Sequence, residues 1–195
     1  MKQRLDTILV ERGLVTGRDR AKAAIAAGWV YIGGQRAVKA GAQYPAEVEI
    51  DFRGEDMKYV SRGGYKLERA VSVFEIVLVH KICMDIGAST GGFTDCMLQN
   101  GAKQVYAVDV GVGQLDQRLL SDPRVVDLEQ TNIRYLEPDA IDTQLDFISV
   151  DVSFISLQLV LPVAVRLLKS GGEMVCLVKP QFEAGREKVG KGGVV

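Results

Sequence analysis

From residue 82 to residue 178, short apolar runs alternate with stretches of helical periodicity. That alternation leaves few folds open. The runs are Ile82–Ile86, Val105–Asp109, Val125–Leu128, Phe147–Val150 and Met174–Val178. Helical spacing falls near Phe93–Asn100, Gln114–Leu120 and Leu157–Leu168. Several runs are apolar throughout, as strands are when both faces are covered. Strand and helix in turn predict an α/β fold with a parallel, doubly wound sheet. A further helix, with Leu67, Ala70, Val71 and Phe74 in phase, precedes the first run.

The first run ends in Asp85-Ile86-Gly87-Ala88-Ser89-Thr90-Gly91-Gly92-Phe93. A glycine-rich turn between strand and helix lets a ligand touch backbone and meet the helix N-terminus. Ser89 replaces the second glycine of GxGxxG, which disfavours a nucleotide oxidoreductase, and no Gly-Lys-Ser/Thr follows, so the turn is not a P-loop. The leading Asp85 suits a ligand with an ammonium group, such as the methionine part of S-adenosylmethionine, better than a pyrophosphate. The second run ends in Asp109, where an acid would hold ribose hydroxyls. Capping a turn is the alternative for each acid.

The fourth and fifth runs end in Asp151-Val152-Ser153-Phe154 and Lys179-Pro180. Both lie at the carboxyl edge, where open α/β sheets bind ligands. Lys66 lies ahead of the first run, and a lysine and an aspartate at adjacent strand ends form either a working pair or a plain salt bridge. Asp151 lacks the Pro-Pro-aromatic continuation expected for methylation of base amino groups. Carbon-5 methylation needs a nucleophilic cysteine, but Cys83, Cys96 and Cys176 fall inside elements as core residues. Three cysteines without a CxxC pair, and one histidine, give no support to a zinc cluster. A Ser-His-Asp hydrolase would have to be built around His80.

The first fifty residues form a separate module. Leu5, Ile8 and Leu9 mark a helix stopped by Gly13. Thr16 and Asp19 resemble a capping box. A second helix over Arg18–Ala27 turns Ala23, Ala24 and Ala27 inward and stops at Gly28. Strands are expected at Trp29–Ile32 and Val48–Phe52, with a turn at Gly33-Gly34. Residues 1–40 hold eight Lys/Arg against three Asp/Glu, while the rest of the 195-residue chain is net acidic. A basic head faces a polyanion or is a solvated surface; Arg4, Arg18, Arg20, Lys22, Arg36 and Lys39 are its candidate nucleic-acid contacts. The expected division is a head at 1–55, a polar linker at 56–62 and the α/β part at 63–195. No apolar stretch approaches the ~20 residues of a membrane span, and the start has no signal core, so a cytoplasmic protein with no membrane partner is expected.

At this point the motifs support a resemblance. Residues 4–52, with Arg4-Leu5-Asp6, the Arg18–Ala27 helix and Gly28-Trp29-Val30-Tyr31-Ile32-Gly33-Gly34, resemble the ribosomal S-four type RNA-binding domain. Residues 59–195 resemble the FtsJ/RrmJ-like methyltransferases. They carry Ser61-Arg62-Gly63-Gly64-Tyr65-Lys66-Leu67, Asp85–Phe93, Val150-Asp151-Val152-Ser153-Phe154-Ile155-Ser156 and Val178-Lys179-Pro180-Gln181-Phe182-Glu183. In this order the two resemble the TlyA family, often labelled haemolysin A. The resemblance implies S-adenosylmethionine-dependent 2′-O-methylation of cytidine in ribosomal RNA, with the ribosome or its subunits as partner.

It further implies a catalytic Lys-Asp-Lys-Glu set, of which Lys66, Asp151 and Lys179 are present. Glu183 and Glu187 follow Lys179 too soon to be the fourth member. The implied cofactor residues are Asp85, Gly87, Ser89, Gly91, Gly92, Phe93 and Asp109, with Asn132 near the adenine or serving as a turn residue. No metal is implied. Lys179 would act as base toward a ribose hydroxyl or would orient it; in-line positioning alone can supply ~7–11 kcal/mol of a barrier. The competing functions are an inactive RNA-binding assembly factor and a membrane-lytic toxin. A complete sheet of this type has two further strands after the fifth, so the C-terminal strands are expected to be missing from these 195 residues.

Overall fold

The computed structural model describes residues 2–53 and 58–195. The chain divides into two compact units, Met1–Met57 and Lys58–Val195.

The first unit runs β1 (Lys2–Arg4), α1 (Leu5–Glu11), α2 (Arg18–Ala27), β2 (Val30–Ile32), β3 (Gln35–Arg36), β4 (Gln43–Pro45) and β5 (Ile50–Phe52). β2 is the centre of an antiparallel sheet ordered β3-β2-β5, and β1 pairs with β4. Leu5, Leu9, Ala21, Ala24, Ile25 and Val30 form the core. Gly28 closes α2 at φ +83 in the left-handed region. Two local expectations fail. Gly17, not Thr16, is the N-cap of α2, and Thr16 instead accepts a hydrogen bond from Arg20 at 3.0 Å. Ala23 and Ala27 are exposed, while Ala21, Ala24 and Ile25 face the core. In an alanine-rich helix the bulky Ile25 decides which stripe is buried.

The second unit runs α3 (Gly63–Val73), β6 (Ile82–Ile86), α4 (Gly92–Gln99), β7 (Gln104–Val108), α5 (Gln117–Leu120), β8 (Val125–Leu128), β9 (Leu145–Val150), α6 (Leu157–Leu167), β10 (Leu168–Cys176) and α7 (Pro180–Glu183), with short 3-10 turns between. The five strands are parallel and ordered β10-β9-β6-β7-β8. Alternate residues cover opposite faces. Cys83, Val105, Ala107 and Phe147 pack with Leu67, Cys96 and Met97; Met84, Ile86, Ile148 and Val150 pack with Val160, Val163 and Leu167 of α6. β10 begins earlier than expected and its register with β9 shifts between Leu168 and Glu173.

The expected linker needs correction. Asp56 and Met57 lie outside the described residues. Tyr59 and Val60 are fully buried in the core of the second unit. Val60 N–H donates to Asp95 at 2.7 Å, and Tyr59 O–H donates to Glu68 at 3.1 Å. Two apolar residues are too few to set up a period, so this segment reads as polar in sequence while packing as core. Among the described residues no helix is long and apolar enough to cross a membrane.

Candidate active site

β6 lies between β7 and β9, so the chain runs to one side after β6 and to the other at β9. The crevice at such a reversal, beyond the strands' carboxyl ends, is where open sheets take ligands. Here it is a cleft of about 260 Å³ lined by residues from the α3 start, the turn after β6 and the ends of β9 and β10. Register brings these together. Ile86 pairs with Val150 and Val150 with Cys176. Asp151 N–H donates to Ile86 O at 3.0 Å, and Leu177 N–H to Val150 O at 2.8 Å.

Three charged side chains meet there. Asp151 Oδ2 accepts from Lys66 Nζ at 3.0 Å, and Asp151 Oδ1 lies 2.6 Å from Lys179 Nζ. Lys66 remains 52% exposed and Lys179 only 20%. Burial alone would push the Asp151 carboxyl up, but the hydrogen bonds and charges of Lys179 and Lys66 outweigh it and hold the carboxyl below its ordinary value. The carboxylate therefore stays ionised and keeps both amines at the cleft.

The turn after β6 is built by close approach. Gly87 sits at φ +86, and a Cβ there would lie 2.7 Å from Asp151 O. A Cβ on Gly92 would lie 2.8 Å from Gly64 N, so the turn packs directly on the start of α3, which carries Lys66. Ser89 and Phe93 line the cleft with Gly87 and Gly92; Gly91 is the N-cap of α4 and does not line it.

Asp85 is buried and still lines the cleft. Its Oδ2 accepts from Thr94 N–H at 2.9 Å and Thr94 Oγ1 at 2.8 Å, and its Oδ1 from Ser149 Oγ at 3.1 Å. Burial pushes its carboxyl up to about 6, against the pull of these hydrogen bonds. Asp109 accepts from Ser89 N–H and Gly111 N–H, each at 2.8 Å, and lines a small recess that shares Ala88 and Ser89 with the cleft. Asn132 lines neither; its side chain caps a 3-10 turn by accepting from Arg134 N–H at 3.2 Å.

Residues outside the cleft are settled by their contacts. Glu183 accepts from Ser156 at 2.6 Å and Leu157 N–H at 2.9 Å, which caps α6. Those hydrogen bonds hold its carboxyl below the usual range. His80 lies ahead of β6, at the opposite end of the strand from the cleft, where its N–H donates to Gly101 O. Burial pushes the thiols of Cys83 and Cys96 up to about 12 and about 11, the reverse of an activated nucleophile; Cys176 is half-buried in β10.

In the first unit, Arg4 forms a paired contact with the buried Asp6 at 3.0 and 2.7 Å, and Arg18 lies 3.6 Å from the same carboxylate. Arg36 donates to Ala26 O at 2.9 Å, at the end of α2. Lys22 pairs with the exposed Asp19 at 2.8 Å, and Lys39 is exposed.

The motif reading names Ser153 and Phe154 without giving either a role. Ser153 lines the cleft and accepts from Lys179 Nζ at 2.8 Å. Phe154, the next residue, is 92% exposed at φ +63, and its ring lies 5.2 Å from that of Phe182. A bulky residue in that backbone region is an outlier and appears only in three dimensions.

A family model described as FtsJ-like methyltransferase matches residues 59–195. "Putative rRNA methyltransferase YqxC" of Bacillus subtilis is 54% identical over 195 residues, covering 100% of this chain and 69% of its own. "16S/23S rRNA (cytidine-2'-O)-methyltransferase TlyA" of Mycobacterium tuberculosis is 46% identical over 200 residues, covering 100% and 73%. Among solved structures, "Putative hemolysin from Streptococcus thermophilus" superposes with a TM-score of 0.74 at 50% identity, over 98% of this chain and 70% of that one.

Proposed function

The chain belongs to the FtsJ-like methyltransferase family, and on that footing we propose that it transfers a methyl group from S-adenosylmethionine to the 2′-hydroxyl of cytidine in ribosomal RNA. The observation that carries this is the Lys66–Asp151–Lys179 cluster lining the same cleft as the glycine turn. The relatives named for rRNA cytidine 2′-O-methylation support the substrate. A ribosomal substrate accords with the cytoplasmic location expected from the sequence.

The residues present fit the cofactor. The glycine turn brings Gly87, Ser89 and Gly92 to the cleft wall, and Gly87 packs so closely on Asp151 O that a side chain there would push the turn out of place. Asp85 would face the cofactor's ammonium from the cleft wall, and Asp109 its ribose hydroxyls. Gly87, Ser89, Gly92 and Phe93 would form the rest of the wall, while Gly91 and Asn132 would act through loop shape. When bound, the cofactor supplies an electrophilic methyl on a sulfonium.

The protein's part is to hold an oxygen ready. Asp151 keeps two lysine amines at the cleft, and a ribose hydroxyl entering there meets Lys179 Nζ. That amine either takes the hydroxyl proton or orients the oxygen by donating to it. Positioning of this kind is worth up to ~7–11 kcal/mol. Beside the cleft, Phe154 offers an exposed ring against which the target base would stack, a contact worth ~1–3 kcal/mol per base.

The first unit would serve as an S-four type RNA-binding head. Arg18, Lys22 and Lys39 present charge to solvent and are the candidate phosphate contacts, with Arg20 beside them. Arg4 and Arg36 also hold the unit together through Asp6 and the end of α2.

The test is transfer of labelled methyl from S-adenosylmethionine to purified ribosomal subunits, with the product digested to nucleosides. Labelled 2′-O-methylcytidine is expected. Label on a base, or none with active cofactor binding, refutes the assignment.

A further inference from the structure

Lys66 and Lys179 meet the same carboxylate, but the two amines are not held alike. Lys66 Nζ reaches Asp151 Oδ2 at 3.0 Å from a half-exposed side chain. Lys179 Nζ has two anchors, Asp151 Oδ1 at 2.6 Å and Ser153 Oγ at 2.8 Å, and is largely enclosed. An ammonium has three N–H directions in a fixed tetrahedral array. The Ser153 hydroxyl takes one of them by a hydrogen bond, and Asp151 Oδ1 holds the amine as an ion pair, which leaves a direction on nitrogen for the cleft that Lys179 lines. Ser153 is itself exposed, so its hydroxyl does not fill a hole in the core. The turn that presents it is strained, since the following Phe154 stands at φ +63.

We propose that Ser153 is a positioning residue for methyl transfer: its hydroxyl fixes the rotation of the Lys179 amine, so that a free direction on nitrogen points at the incoming ribose hydroxyl. This rests on Lys179 being the group that meets that hydroxyl. The asymmetry also divides the labour of the two lysines. Lys179 is the clamped amine that faces the substrate, and Lys66 balances the charge of Asp151 at its other oxygen. A loosely held amine would spend most of its time misdirected, which costs turnover and leaves substrate binding alone.

The experiment compares steady-state methylation of ribosomal subunits by the wild type and the Ser153→Ala, Ser153→Val, Ser153→Thr and Lys179→Ala variants, with cofactor binding followed by calorimetry. Ser153→Ala and Ser153→Val are expected to lower kcat about tenfold, the order carried by one charge-assisted hydrogen bond, with unchanged KM and cofactor Kd. Ser153→Thr, which differs from Val by the hydroxyl, recovers most of the lost rate. Wild-type kcat in Ser153→Ala, equal rates for Thr and Val, or a loss confined to KM overturns the role of Ser153 while Lys179→Ala is inactive. Activity retained by Lys179→Ala overturns the underlying assignment of Lys179 instead.

Discussion

Replacing Asp85 by asparagine should make the fold more stable and the cofactor bind worse. Asp85 is 1% exposed, and burial raises its carboxyl to about 6 from the 3.8 of an unperturbed aspartate. As pH rises from ~4 to ~6 the unfolded chain releases this proton while the folded chain still holds it, so stability falls across that window. Above it the whole cost stands: a gap of about two pH units, or ~3 kcal/mol at 1.36 kcal/mol per unit. An amide is neutral and nearly the same shape. Its oxygen can accept from Thr94 as Asp85 Oδ2 does. Its NH2 can donate to Ser149 Oγ, whose own hydrogen then turns to Met84 O, 3.5 Å away.

Urea unfolding at pH 7 should therefore show Asp85→Asn more stable by up to ~3 kcal/mol, with the gain gone near pH 4, where the wild-type carboxyl is neutral too. Calorimetry at pH 7 should show S-adenosylmethionine binding weakened about tenfold or more, because its ammonium would face an uncharged wall. A variant no more stable than wild type at pH 7, or a gain that persists unchanged at pH 4, would refute the claim that the fold carries a costly buried charge. Unaltered cofactor affinity would remove Asp85 from the binding wall.

Lys66→Ala and Lys179→Ala should each lower methyl transfer by at least about a hundredfold, the low end of positioned acid–base or orienting groups, with RNA affinity by filter binding unchanged. Charge reversal at Arg18 or Lys22 should weaken RNA binding and flatten its dependence on salt by roughly one unit of log–log slope per lost phosphate contact; equal slopes would show that this surface does not touch phosphate. Gly92→Ala should cost ~1–3 kcal/mol in thermal or urea unfolding and reduce activity as well, since its methyl would press on Gly64 N and displace the start of α3. A stable, active Gly92→Ala variant would show that the contact between turn and α3 has slack.

The class of fold and the location of its ligand edge are local properties, and so are written along the chain. Continuously apolar runs such as Ile82–Ile86 and Phe147–Val150 require cover on both faces, and a glycine turn such as Gly87–Gly92 is needed wherever backbone must approach a neighbour. Hence Asp85, Asp109, Asp151 and Lys179 could be named from their places at strand ends. Lys66 takes its role only from resemblance to a motif, since nothing local marks a lysine in the first turn of a helix as a partner of Asp151.

Which side chains touch is settled by packing across the chain. Lys66 lies 85 residues from Asp151, and their meeting depends on the strand order β10-β9-β6-β7-β8 and on Ile86 standing opposite Val150. The burial of Tyr59 and Val60, the capping role of Glu183, the structural anchoring of Arg4 and Arg36, and the hydroxyl of Ser153 on Lys179 likewise depend on long-range packing. Periodicity reports the environment of a residue averaged over its own element. A single side chain's partner is set by the free energy of the assembled sheet, in which one residue of register moves every contact.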